Sequence, residues 1–484
     1  MGSTVERRYL TCPRHMSRHI IHLQVCPAGL KTMSALHFAR ALLPSGWAND
    51  VRVIIADGVI AHVAAGQPSA PDDERHALAI PGISNLHSHA FQRAMAGLAE
   101  IRGPADDTFW TWRETMYRFA LAITPDDAEA IAALAYVEML ERGFTRVGEF
   151  HYLHHDASGR TYANPAEMAS RIAAAAAATG IGLTLLPCFY AHATFGAAAP
   201  LASQRRFICT VDQFADLVAQ SRTAIQSVAG ANLGIAPHSL RAVTPDELAA
   251  ILPLADNGPV HIHAAEQTRE VADCVAWSGL RPVQWLLQHA AIDRHWCVIH
   301  ATHMTDAEIA ALAATGAVAG LCPLTEASLG DGIFAAREFM EAGGRFGIGT
   351  DSNVLIGVAD ELRQLEYAQR LKFRARNVLA GSATVSTGRA LFDAALQGGA
   401  QALAQPVVGL AQDARADIVT LDANHPSLAG RSGDAVLDGW IFAGSADIID
   451  CVWAGGVKVV ASGRHHLRDQ LRTRFSAVVR RLAA

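Results

Sequence analysis

His87-Ser-His89 closes one apolar run of the chain, and His261-Ile-His263 lies in another. On a β-strand, residues two apart face the same way, so both imidazoles of such a pair can reach one ion. Composition alone explains one pair: with 22 histidines in 484 residues, about one His-x-His arises by chance. Position is the stronger signal. His87, His89, His263, His300 and Asp351 all fall at the C-terminal ends of different candidate strands. Imidazole nitrogens and one carboxylate suit a divalent ion that activates water; scattered core histidines are the bland alternative. Glu266 follows in His263-Ala-Ala-Glu266. A carboxylate just beyond a ligand can carry protons from activated water to a leaving nitrogen, although a helix-start glutamate gives the same spacing.

The elements that position these residues read as alternating strands and helices. Candidate strands are Leu78–Leu86, Thr145–Phe150, Gly182–Phe189, Leu233–Pro237, Val260–His263, Cys297–His300, Ala317–Cys322 and Arg345–Gly349. Thr124-Pro-Asp-Asp, Thr244-Pro-Asp-Glu and Thr305-Asp-Ala-Glu each offer an N-cap threonine with a carboxylate three residues on, a helix-start pattern. The fold class is α/β. Eight such units predict a parallel (β/α)₈ TIM-type barrel, whose strand ends converge on one mouth. A doubly wound sheet is the rival on pattern alone. Strand-like runs at Leu36–Leu43, Val51–Ile55 and Gly58–Ala64 are echoed by Ala416–Asp422, Ile448–Trp453 and Val457–Ser462. These flanks predict a small β-sandwich domain formed from both chain ends. The expected division is a poorly structured extension over 1–32, β domain over 33–80, barrel over 81–385, return to the β domain over 386–465, and a C-terminal helix over 466–484.

Composition narrows the function classes. Hydrophobic residues make up 51% and charged residues 18%, which excludes disorder for most of the chain. Net charge is −6 with no basic block, so neither nucleic acid nor an anionic membrane is an expected partner. None of the eight cysteines forms a Cys-x-x-Cys; they read as reduced thiols of a cytoplasmic protein. The uncharged stretch Ile172–Gln204 mimics a membrane span, but its glycines and prolines fit an alanine-rich helix running into a buried strand. His154, His155, His465 and His466 read as surface or loop residues.

Pro81-Gly-Ile-Ser-Asn-Leu-His-Ser-His89, His263-Ala-Ala-Glu266, His300 and Gly349-Thr-Asp351 occur in the order found in the amidohydrolase superfamily. The chain resembles its mononuclear deaminase branch over about residues 35–465. Binuclear members bridge two metals through a carboxylated lysine, usually from the fourth strand. No lysine lies between Lys31 and Lys372, so the resemblance implies one divalent ion, Zn²⁺ being the expected one, held by His87, His89, His263 and Asp351. Segments 143–155, His238-Ser-Leu-Arg241 and 322–334 resemble the formimidoylglutamate deiminases.

That resemblance implies hydrolysis of N-formimino-L-glutamate to N-formyl-L-glutamate and ammonia in histidine degradation, with hydroxide generated at the metal attacking the formimino carbon. It assigns catalysis to Glu266, His300 and Asp351. Gln92, Tyr152, His238 and Arg241 are then expected at the α-carboxylate and Arg113 at the side-chain carboxylate. An arginine fork does suit bidentate carboxylate recognition, whereas a solvated charge or structural ion pair is the ordinary alternative. A homodimer is the expected assembly. A deaminase of heterocyclic bases or nucleosides would share the metal set with less need for Arg113 and Arg241, and a silent barrel scaffold would lack ligands.

Overall fold

A computed structural model of the chain describes residues 33–100, 102, 108–381 and 385–483; the expected extension 1–32 lies outside them. Strands β1 (Met33–Leu43), β2 (Gly46–Ala56), β3 (Val59–Ala64) and β4 (Glu74–Pro81) open the chain. Next come the barrel strands β5 (Ile83–Ser88), β6 (Phe144–His151), β7 (Gly182–Phe189), β8 (Asn232–Leu233), β9 (Ala236–Pro237), β10 (Val260–Ala264), β11 (Trp296–His300), β12 (Val318–Leu321) and β13 (Arg345–Ile348). The chain closes with β14 (Ile418–Leu421), β15 (Ile449–Ala454), β16 (Val457–Ala461), β17 (Arg464–His465) and the helix Arg468–Ala483.

Parallel pairing joins β5 to β8 in one group and β10 to β13 in another, with β9 on β7. Bridges Ser88–Asp351, Ile235–Val260 and Ser239–His263 close the two groups into a barrel. Leu86, Cys297, Ile299, Val318 and Cys322 pack together inside. Gly320 makes room for them, because a Cβ there would lie 2.6 Å from Ile299 Cδ1. The three threonine signatures all form capping boxes. The uncharged stretch divides into the helix Glu167–Thr179 and β7, as its glycines imply. No helix among the described residues is long and apolar enough to cross a membrane.

Two of the expected strands are interrupted. The run Leu78–Leu86 divides into β4 and β5 at Pro81-Gly82, because here the chain leaves one domain for the other. Proline has no N–H for a ladder, and a Cβ on Gly82 would meet the Thr145 side chain at 2.3 Å. Leu233–Pro237 divides into β8 and β9 around Gly234, where Pro259 O would lie 2.2 Å from a Cβ.

Both chain ends build the β domain, in the strand order β17-β16-β15-β14-β4-β1-β2-β3. Its own core holds Leu36, Phe38, Val51, Val53, Ile418 and Trp453. On the barrel side, β5 is followed by the turn Ala90–Met95 and two helices, α1 (Phe109–Ala122) and α2 (Pro125–Leu140). The C-terminal helix lies against this region: Phe475, Val478, Val479 and Leu482 pack on the cluster that contains Phe91, Met95 and Met116.

Candidate active site

Four ligand atoms meet where β5, β10 and β13 end. His87 Nε2 and His89 Nε2 lie 3.4 and 3.3 Å from Asp351 Oδ1, and His263 Nε2 lies 3.1 Å from His87 Nε2. In a tetrahedral site with metal–ligand bonds of about 2.0–2.1 Å, ligand atoms are spaced by roughly 3.3 Å. The cage therefore has the dimensions of a small divalent ion. Tautomers agree with this. His89 Nδ1 donates to Phe150 O at 2.8 Å, and His263 Nδ1 to His238 O at 2.9 Å, which leaves each Nε2 lone pair facing inward. Burial lowers the pKa of all three histidines, so the imidazoles are neutral. Apposed lone pairs repel one another unless a cation lies between them.

Local backbone strain holds the fourth ligand. Asp351 adopts φ +41°, a left-handed conformation unusual for a residue with a side chain. His89 N donates to Asp351 O at 2.9 Å, and Asp351 N to His87 O at 3.0 Å. Gly349 permits this approach, since a Cβ there would lie 2.7 Å from His87 O. Asn85, which sequence reasoning did not single out, supports the same turn: its Nδ2 donates to Thr350 Oγ1 at 2.7 Å, and Thr350 N donates to its Oδ1 at 3.1 Å.

His300, at the end of β11 with φ +66°, stands beside the cage. Its Nε2 is 3.7 Å from both Asp351 Oδ2 and Glu266 Oε1, and its Nδ1 is 3.3 Å from Glu326 Oε1. Burial opposes protonation, but the carboxylates of Glu266, Glu326 and Asp351 outweigh it and push the imidazole up to about 10. Burial raises the pKa of Glu266 despite His300 and Arg241 nearby.

Every substrate-contact residue expected from the sequence lines one cavity with the cage, partly open to solvent. Gln92 lies on the turn Ala90–Met95 and donates to Tyr152 Oη at 2.7 Å. His238 packs edge-on to Tyr190, with ring centroids 4.6 Å apart. Arg241 is held between two carboxylates, with Nη2 3.6 Å from Glu266 Oε2 and Nε 4.0 Å from Glu270 Oε1. Neither Arg241 Nε nor Glu270 Oε1 has a hydrogen-bond partner, so the arginine keeps donor capacity free. Arg113 projects from α1, stacked on Trp110 at 4.5 Å, with no ion pair among the described residues.

Sequence reasoning missed several neighbours. Tyr117, Tyr190 and Phe207 also line the cavity. Glu326 lies inside the 322–334 segment that resembles the formimidoylglutamate deiminases, and that motif is the sequence signal for it. His154 and His155 lie in the loop after β6, as expected, and His465 lies in β17, but all three are buried. His154, His155 and His465 each place Nε2 on a backbone carbonyl, those of Cys188, Ile208 and Thr179. Such a bond satisfies a buried imidazole, and local sequence does not reveal it. His466 is exposed, as expected.

Comparison with known proteins agrees with the geometry. Residues 78–459 match the amidohydrolase family, and residues 33–77 match "Formimidoylglutamate deiminase HutF, N-terminal domain". A formimidoylglutamate deiminase of Pseudomonas aeruginosa is 53% identical over 90% of this chain and 96% of its own. The crystal structure of an amidohydrolase from Brucella melitensis superposes with TM-score 0.91 at 58% identity, covering 93% of this chain and 100% of that one. An adenosine deaminase from Xanthomonas campestris, solved with bound zinc, shares the fold at TM-score 0.77 and 21% identity, covering 93% and 98% of the two chains. With its strand order, its three-histidine, one-aspartate cage and these matches, the chain belongs to the amidohydrolase family, in the branch of the formimidoylglutamate deiminases.

Proposed function

We propose that the chain hydrolyses N-formimino-L-glutamate to N-formyl-L-glutamate and ammonia, as a step of histidine degradation. One observation carries the reading: a single cavity joins the metal cage to two arginines, Arg113 and Arg241. The cage supplies hydrolytic chemistry, and the arginines suit a substrate with two carboxylates.

A single Zn²⁺ held by His87, His89, His263 and Asp351 would lower the pKa of a bound water to about 7 and so provide the nucleophile at neutral pH. The absence of lysine between Lys31 and Lys372 supports one ion over a carbamate-bridged pair. Asp351, with His300 beside it, takes up the proton released as water adds to the formimino carbon. His300, kept cationic by its carboxylate neighbours, stabilises the charge that develops there. Glu266 is biased by burial toward its acid form and protonates the departing nitrogen, so that ammonia leaves and the C–N bond to glutamate stays. Gln92, Tyr152, His238 and Arg241 orient the α-carboxylate, and Arg113 the distal one. The six free, buried cysteines among the described residues suit the cytoplasm. Ile333 and Leu371, exposed beside one groove, suit a homodimer contact.

The test is to incubate zinc-loaded protein with N-formimino-L-glutamate, assay ammonia and identify the carbon product by NMR. Formylglutamate with ammonia, lost on chelation, is the expected result. Formamide with glutamate would mean the other C–N bond breaks. Turnover of purines alone would replace this reading by that of a heterocycle deaminase.

A further inference from the structure

Behind the cavity wall near Arg113 lies a buried amide whose hydrogen bonds have a forced direction. Gln204 ends the short turn Ala202–Gln204 and is fully enclosed. Its Oε1 accepts from the Leu201 backbone N–H at 2.8 Å. A backbone N–H can only donate, so this atom is the amide oxygen and the other is the nitrogen. Nε2 then donates to Tyr190 Oη at 2.8 Å and to Tyr117 Oη at 3.1 Å.

Both phenol oxygens are acceptors in this arrangement, and each keeps its own proton to donate. Among the described residues, neither hydroxyl has a hydrogen-bonded acceptor other than its fellow tyrosine. Even if one tyrosine donates to the other, one O–H remains for whatever enters the cavity that both rings line. Tyr117 is four residues after Arg113 on α1, and the guanidinium carbon lies 5.5 Å from its ring. The loop is tied to the same helix end, since Arg206 donates to Ala120 O and Ile123 O. Phe207 packs against both tyrosine rings, with centroids 6.0 and 5.8 Å away.

We propose that Tyr117 and Tyr190 are specificity-determining donors to the distal carboxylate of the substrate, beside Arg113, and that Gln204 is the positioning residue that aims their protons. The proposal rests on the dicarboxylate reading above. A lone guanidinium accepts an anion at several depths. A guanidinium with oriented phenol protons fixes where the carboxylate stops, and hence the chain length between it and the metal cage.

The experiment compares N-formimino-L-glutamate with N-formimino-L-2-aminobutyrate, which lacks only the distal carboxylate. Tyr117→Phe and Tyr190→Phe should each lower kcat/KM for the first substrate by about 10-fold, and the double variant by about 100-fold, mostly through KM. The second substrate should change less than about 2-fold. Equal losses on both substrates would overturn the proposal, because a purely structural role predicts them. Gln204→Glu replaces the donor by a carboxylate that accepts the phenol protons, and should reproduce the double variant; wild-type selectivity in that variant also overturns the proposal. If Gln204→Glu fails to fold, the tyrosine variants decide. Calorimetric binding of N-formyl-L-glutamate to zinc-loaded protein separates this inference from the reaction itself. Wild-type binding without turnover would sink the reaction alone, and the tyrosine variants would then be judged on lost binding. If wild-type protein shows neither binding nor turnover, both proposals fall.

Discussion

Asp351 divides its carboxylate between two partners: Oδ1 faces His89 Nε2 at 3.3 Å, while Oδ2 faces His300 Nε2 at 3.7 Å. One oxygen belongs to the ligand cage and the other faces the His300–Glu266 side of the cavity. The left-handed backbone at both residues sets the direction in which each side chain leaves its strand end.

Asp351→Asn should therefore damage two functions together. An amide oxygen can still point at an ion, but it neither carries charge nor accepts the proton. Activity is expected to fall by about 10²- to 10⁴-fold. Zinc content, measured by atomic absorption after reconstitution, should drop below the single ion per chain expected of the parent. Two ions per parent chain would remove the single-ion proposal. Chelation of the parent should also lower Tm, because an ion bound only by the folded state stabilises it.

Glu266→Gln separates proton delivery from metal binding. Its carboxyl lies near His300 and Arg241 and is not among the four cage atoms. Zinc content should stay at the parent level while kcat falls by about 10²- to 10⁴-fold. A variant with normal kcat would remove Glu266 from the proton path.

Arg241→Met should act on substrate capture. Losing a charge-assisted contact costs about 10- to 100-fold in kcat/KM, and a rise in KM should carry most of it. Unchanged kcat/KM would contradict the assigned role.

Glu149 offers a test in pH. Its carboxyl accepts from Ala90 N at 2.7 Å and Tyr136 Oη at 3.1 Å, just behind His89. Burial raises its pKa to about 8, against about 4.3 for an unfolded glutamate. Between those values the folded state binds more protons than the unfolded one, so this group makes stability fall as pH rises. Glu149→Gln removes the titration. The Tm of the variant minus that of the parent should be more positive at pH 9 than at pH 5, as read by differential scanning calorimetry. A pH-independent difference would show that Glu149 does not carry the raised pKa.

The metal cage was legible in the sequence because each ligand stands at or just past a strand end, where side-chain alternation and barrel geometry leave few places to point. That position singled out His87, His89, His263, His300 and Asp351 together, and the family resemblance was needed to set His300 apart from the other four. Gln204, Tyr117 and Tyr190 were not legible: they come from a turn, a helix and a loop distant in sequence, and only tertiary packing makes their hydrogen bonds. The burial of His154, His155 and His465 was hidden for a related reason, since their partners are main-chain carbonyls, which carry no sequence signature. The interrupted Leu78–Leu86 run shows a different limit. Hydrophobicity is continuous across Pro81-Gly82, although the backbone there passes from one domain to the other.

The β sheet has a history during synthesis that its finished form conceals. β4 pairs with β1 on one edge and with β14 on the other. Until Ile418–Leu421 leaves the ribosome, the outer edge of β4 has no partner, and an unpaired edge is a template for another chain. Asp351, the last cage residue, is translated before any of β14 to β17. A nascent chain thus carries its complete set of metal ligands while its second domain still has an open flank, the stage at which neighbours on one messenger are exposed to each other's unpaired strands.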